Sequence, residues 1–175
     1  MPSPVGHALA GLTVHVLAAR HPSDLHDRRR AAVAVAAALA PDVDLLFRLV
    51  DGRNHHDYET HSIGLACAAA FVAFGAARAW GWARPVNLGV TAGLAWVSHV
   101  LLDYLNVDTT PPIGIMAFWP ITGAFYKFPW PLFLDIGRTL TWATVRHDAL
   151  AALWEAAVLT PLLLGVWRLR EGGGK

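Results

Sequence analysis

One cysteine is present among 175 residues, and this residue, Cys67, lies in an apolar run. Within one chain that excludes both a disulfide framework and a thiolate zinc site. Charge is scarce as well: charged residues make up 15%, where a soluble domain carries roughly 25%. The net charge of +1 and the lack of a basic run with interleaved aromatics leave no footprint for nucleic acid. No Lys or Arg precedes the first apolar stretch, and positive charge follows it, from Arg20 to Arg30. The amino terminus therefore lacks the layout of a signal peptide and reads as retained. There is no GxSxG elbow, no Walker loop and no clustered HxxHH box, which removes the signatures of serine hydrolases, phosphate-binding loops and di-iron desaturases. No internal repeat appears, and the only low-complexity piece is Gly172–Gly174.

What is there is apolar: 55% of the residues. Five segments hold a helical, apolar pattern, at 5–20, 31–50, 62–83, 86–106 and 148–168. The last three have the length a bilayer core requires, roughly 20 residues. The first is short, and the second is interrupted at Pro41-Asp42-Val43-Asp44. The expectation is a single all-α membrane domain over 1–175, an integral bundle of about five helices. The connection 107–147 carries Pro111-Pro112 and an apolar stretch rich in Phe, Trp and Pro, which suits a re-entrant or interfacial loop.

Basic residues set the expected orientation. With the amino terminus outside, the inner side holds Arg20, Arg28, Arg29, Arg30, Arg78, Arg84, Arg168, Arg170 and Lys175, and the outer side Arg48, Arg53, Lys127, Arg138 and Arg146. That excess favours an amino terminus out and a carboxy terminus in the cytoplasm. From the inner flanks, the strongly polar side chains fall at similar distances: Arg20 to His7, Arg30 to Asp42 and Asp44, Arg78 to His61, Arg84 to His99, Arg168 to Glu155. At about 1.5 Å per residue they share one layer, roughly 18–25 Å above the inner belt. Ionisable groups at that depth are costly unless they pair, bind a metal or line a wet cavity. His15 lies below the layer and reads as a packed or water-bonded histidine.

Local spacing refines this. His99 and Asp103 stand four apart on one helix face, a geometry that serves a shared metal or a packing hydrogen bond. Asp42 and Asp44 follow Pro41, where the helix loses a backbone bond and can present carboxylates or simply end. In His55-His56-Asp57-Tyr58-Glu59-Thr60-His61, a hydrated loop accounts for Asp57 and Glu59 better than for His61. Ser62 and Ser98 read as capping or supporting groups. The set is imidazole plus carboxylate, which suits zinc, manganese or iron, and its carboxylate richness suits two metals.

At these residues the chain resembles the YdjM-like inner-membrane metal-dependent hydrolases. The likeness rests on Gly6-His7, Pro41-Asp42-Val43-Asp44, Thr60-His61-Ser62, Ser98-His99 through Asp103-Tyr104-Leu105-Asn106, and Phe118-Trp119-Pro120, over roughly residues 5 to 130. One departure stands out. The family often shows His-Arg-Gly before its Thr-His-Ser, whereas here His56-Asp57-Tyr58-Glu59 lacks the Arg. If that Arg holds an anionic substrate, its role passes elsewhere or the substrate differs. The ligand order is also similar to that of zinc-dependent phospholipase C, with Asp42 and His56 fourteen apart and His99-Asp103 following. The resemblance implies a helical two- or three-metal hydrolase cleaving phosphoester bonds.

The resulting expectation is a membrane-bound hydrolase opening toward the outer leaflet of the inner (plasma) membrane. His7, Asp42, Asp44, His56, His61, His99 and Asp103 would hold one or two divalent metals, most readily zinc. Glu155 or Asp44 would act as base, or Glu155 as a further ligand. Lys127, Trp119 and Tyr126 would meet the headgroup of a membrane lipid or lipid-linked substrate. The alternatives are a metal or proton transporter, which should spread titratable groups through both leaflets, and a non-catalytic membrane partner, which needs no such cluster. Oligomeric state is not encoded in these patterns.

Overall fold

The computed structural model describes residues 1–52, 54–137 and 139–172. Arg53, Arg138 and Lys175, which entered the charge comparison, lie outside the described residues. The chain is all-helical, and among the described residues there is no strand, only two isolated bridges, Asn106 with Phe133 and Ile115 with Tyr126.

Helix α1 spans Pro4–Ala18, with Ser3 capping it by accepting from the Gly6 N–H. A short α2, Pro22–Leu25, leads to α3 at Arg28–Leu39, capped by the Asp27 carboxylate on the N–H groups of Arg29 and Arg30. The expected interruption at Pro41 is real. The α-helix stops, and Ala40–Leu46 continues as a 3-10 turn, followed by a short α4 at Arg48–Asp51. The segment expected over 31–50 is thus three pieces, because Pro41 lacks the N–H that would continue the ladder. A second 3-10 turn, Glu59–His61, delivers the chain to Ser62, which caps α5 at Ile63–Ala79. Helix α6 runs Pro85–Tyr104 and α7 runs Trp142–Gly172.

Two boundaries differ from expectation. α5 has 17 residues rather than the length of 62–83, because Gly81 turns the chain with φ +66°. α7 begins before 148, because Thr141 takes the capping position, its hydroxyl accepting from the Thr144 N–H at 3.2 Å. Among the described residues, only α6 and α7 are long and apolar enough to cross a membrane; α1 and α5 are apolar but shorter.

α6 is the central post. It packs on α5, α1 and α3, while α7 lies against α1. Gly93 permits the close α5–α6 contact, since a Cβ there would come 2.9 Å from the Ala70 Cβ. The expected loop over 107–147 covers 105–141 and does not dangle: Ile115 and Ala117 are buried against Val100 of α6. It also ties down the start of α5, through Ile63 N–H to the Ala117 carbonyl at 2.9 Å and Gly64 N–H to the Trp119 carbonyl at 3.1 Å. The core is unusual in its chemistry. Among its largest fully buried side chains are His7, His56, His61, His99 and Glu155, types that soluble cores bury only with partners.

Candidate metal centre

Three helices carry one polar end each into a common layer. His7 comes from the first turns of α1, Asp42 and Asp44 from the 3-10 turn after α3, and His99 and Asp103 from the last turns of α6. The 54–61 segment adds His56, Asp57 and His61. His7 and His99 stack with ring centroids 3.8 Å apart, and His56 and His61 meet edge-on at 4.5 Å.

The hydrogen-bond directions matter more than the proximity. His99 Nδ1 lies 2.7 Å from the Ala38 carbonyl, which can only accept, so Nδ1 holds the proton and the neutral ring keeps its lone pair on Nε2. That Nε2 faces the Asp103 carboxylate at 2.9 Å and His61 Nε2 at 3.1 Å. Asp44 performs the same service for two rings. One of its oxygens takes His56 Nδ1 at 3.0 Å, and the other takes the Thr60 hydroxyl at 2.5 Å and stands 3.3 Å from His61 Nδ1. With its Nδ1–H directed at Asp44, His56 turns its Nε2 lone pair inward, the arrangement by which an outer carboxylate orients a metal-binding imidazole, and His61 Nε2 faces inward too, 3.1 Å from both His99 Nε2 and an Asp103 oxygen.

Several of the inward atoms are left without a partner. Both nitrogens of His7, Asp42 Oδ1, His56 Nε2 and both oxygens of Asp103 are buried without a hydrogen-bond partner. No Lys or Arg among the described residues pairs with Asp42, Asp44, Asp57 or Asp103. Buried polar atoms are ordinarily satisfied, and a cation is the partner that satisfies several acceptors at once. Three overlapping sets have ligand atoms within 4.8 Å of one another: His7, His99 and Asp103; Asp42, His56 and His61; and Asp57, His61 and Asp103. His61 and Asp103 are shared, which gives the cluster the shape of two adjoining subsites. The donor set fits a divalent metal.

Of the residues expected from sequence, His7, Asp42, His56, His61, His99 and Asp103 converge. Asp44 stands behind two of the histidines rather than within any of the three sets. Glu155 reaches the same layer, but its carboxylate receives the Ser3 N–H at 2.8 Å and the Ser3 hydroxyl. It thereby fastens α7 to the start of α1, and Gly6 leaves it room, since a Cβ there would collide with the carboxylate. His15 is buried, with Nε2 3.3 Å from the Leu25 carbonyl, in keeping with a packed histidine. Tyr126 pairs with Ile115 and its ring meets Phe118, while Lys127 Nζ donates to the Asp108 carbonyl.

Asp57 is the main correction. Read as part of a hydrated loop, it is 9% exposed and adopts φ +74°. Its carbonyl is held by the Met116 N–H at 2.9 Å, and its carboxylate stands 3.3 Å from His56 Nε2. Burial raises its carboxyl above the ordinary range, against the opposing charges of His56 and His61. Aspartate tolerates the left-handed conformation better than most residues, but nothing in the sequence marks that this turn folds inward. Thr60, whose hydroxyl donates to Asp44, shows in the sequence only as part of Thr60-His61-Ser62, with nothing there to mark this role.

A family model described as YdjM inner membrane protein matches residues 1–172. No curated protein and no solved structure matches the chain.

Proposed function

Because the chain belongs to the YdjM inner membrane protein family, and is on that ground a membrane protein, we propose that it is a multi-pass, metal-dependent hydrolase acting on an ester or phosphoester bond of a lipid-like substrate. The observation that supports the reading is the convergence of ligand atoms: His99 Nε2, His61 Nε2 and the Asp103 carboxylate lie within 3.1 Å of one another, with His99 fixed as an acceptor by the Ala38 carbonyl. The family description names a membrane location and no reaction, so the hydrolytic step rests on the donor set. His7, His99 and Asp103 hold one divalent ion, most readily zinc, and Asp42, His56 and His61 a second; manganese and iron suit the same oxygen and imidazole donors. A divalent ion there supplies Lewis acidity, which acidifies water and polarises an acyl or phosphoryl oxygen.

The chain's own residues do the rest. Asp44 and Thr60 keep the two imidazoles turned inward. Asp57, at the mouth, is placed to accept a proton from water, and burial gives its carboxyl a pKa above that of an exposed aspartate. The 105–141 connection, with Trp119, Tyr126 and Lys127, lies as an interfacial cover over the start of α5. Exposed Phe71, Val90, Leu101, Leu153 and Leu164 then face acyl chains, and the cluster opens toward the outer leaflet with the amino terminus outside.

Protein purified in mild detergent should retain close to stoichiometric zinc or a similar metal. It should hydrolyse phospholipid or ester substrates in mixed micelles, and a chelator should abolish this while re-addition restores it. Protein that is fully folded and metal-free as isolated, and stays inactive in added zinc, manganese and iron, would sink the proposal and leave a proton-sharing carboxylate–histidine network. Orientation is read separately. Cysteine at His55 in a Cys67→Ala background should react with an impermeant thiol reagent in intact spheroplasts. Labelling only after lysis would reverse the topology.

A further inference from the structure

The ligand cluster is sealed from solvent almost everywhere. The side chains of His7, His61 and His99 are fully buried, and those of His56 and Asp103 nearly so. Of the ligand residues only Asp42 and Asp57 keep more exposure, at 14% and 12% of their side chains. An ion arriving from water therefore passes one of these two carboxylates. Asp57 opens onto a cleft of about 210 Å³, lined also by Met1, Arg48, Asp108, Thr110 and Asp135. That is room for an ion with its first hydration shell, about six waters at roughly 30 Å³ each.

The cleft is acidic. Three carboxylates line it against one guanidinium side chain, and among the described residues no ion pair joins Arg48 to any of the three. Asp108 is held by the N–H groups of Thr110 and Gly114, at 3.1 and 2.5 Å, and Lys127 Nζ reaches its carbonyl, not its carboxylate. Backbone bonds of this kind fix a carboxylate without neutralising it. At the inner wall, His56 Nε2 faces Asp57 Oδ1 at 3.3 Å and is itself buried without a hydrogen-bond partner. Asp57 thus belongs both to the cleft and, with His61 and Asp103, to one of the ligand sets.

We propose that this cleft is the port through which a divalent cation enters the cluster, with Asp108 and Asp135 drawing it in and Asp57 passing it to His56 Nε2. The inference rests on the metal centre proposed above, and adds the route to it and the residues that set the loading rate. Asp108 and Asp135 belong to none of the ligand sets, so they act through charge on the approach. A charged cleft of one sign raises association rates by roughly 10- to 1,000-fold and loses that advantage as salt rises.

The test is zinc loading of the full chain in phosphatidylcholine nanodiscs, after stripping with a chelator, followed by stopped flow with a fluorescent zinc indicator. At low ionic strength Asp135→Asn, which leaves the Asp108 turn intact, should load about threefold more slowly, and its combination with Asp108→Asn about tenfold more slowly. Arg48→Gln should load about threefold faster. Equilibrium zinc affinity should stay within about twofold in all three, and the rate differences should vanish near 1 M salt, where the screening length is about 3 Å. Glu171→Gln, near the other end of α7, controls for net charge. Wild-type rates in the double variant, or the same slowing in Glu171→Gln, would overturn the port and leave Asp42 as the entrance. Rate and affinity lost together would make the two aspartates part of the bound site and overturn it equally. Protein that takes up no zinc at equilibrium defeats the metal centre and this inference with it, whereas tight binding at unaltered rates defeats the port alone.

Discussion

Two polar layers sit at opposite ends of the same three helices, and they obey opposite rules. At one end Asp24, 1% exposed, accepts from the His21 N–H and pairs with Arg84 and, at 3.5 Å, with Arg30. Arg30 also donates to Asn87 at 3.0 Å and to the Ala83 carbonyl, and Asn87 donates to the Ala18 carbonyl at 2.8 Å. Donors there meet acceptors, so this lock joins the α1–α3 and α5–α6 connections without help. At the other end, carboxylates and imidazole lone pairs face one another. Buried polar groups that satisfy each other hold a fold together, and groups that do not need a water, an ion or a ligand to satisfy them.

The largest effect should come from breaking the unsatisfied end. His99→Ala and Asp103→Ala should each weaken metal binding at least about a thousandfold, roughly 4 kcal/mol, with the double variant little worse than either, because the ligands act as a unit. Metal content by mass spectrometry and competition with a chromogenic chelator read this, with His15→Ala and His26→Ala as controls. Additive losses would mean that the two residues serve separate sites.

Breaking the lock should do the reverse. Asp24→Ala leaves Arg30 buried without its carboxylate and should cost about 3 kcal/mol of stability while metal content stays unchanged. Burial works to raise the Asp24 carboxyl, but the Arg84 hydrogen bond and the Arg30 charge outweigh it and hold it below its ordinary 3.8. A depressed carboxylate contributes stability that is complete above that value and lost as the pH falls through the folded one. Thermal unfolding of wild type should therefore lose ground to Asp24→Asn as the pH falls below 3.8; parallel curves would show that the lock carries no such charge.

The smallest effect separates Glu155 from both layers. Glu155→Gln should leave metal affinity within about twofold and lower stability by about 1 kcal/mol, the size of a lost cap, because its carboxylate serves Ser3. A loss of metal as severe as that of Asp103→Ala would return Glu155 to the ligand set.

Much of the candidate site could be read before any fold was known. The HxxxD spacing puts His99 and Asp103 on one face of whatever helix contains them, and Pro41 stops a helix just ahead of two carboxylates. Counting from basic flanks placed His7, Asp42, His61 and His99 at one depth, because helical rise is constant. Asp57 escaped because its inward turn depends on a φ of +74° and on a hydrogen bond from Met116, 59 residues further along the chain. The lock escaped because Arg30 and Arg84 look alike as flanking charges until the fold brings them both to Asp24.

By itself, then, the sequence determined the helices, the break at Pro41 and the residues that populate the polar layer, since each follows from local backbone chemistry and a fixed rise per residue. Only the tertiary structure decided which of those residues face inward and which stand behind. Asp44 orients, Glu155 fastens and Asp57 joins the cluster because lone-pair direction depends on what each ring and carboxylate touches from another part of the chain.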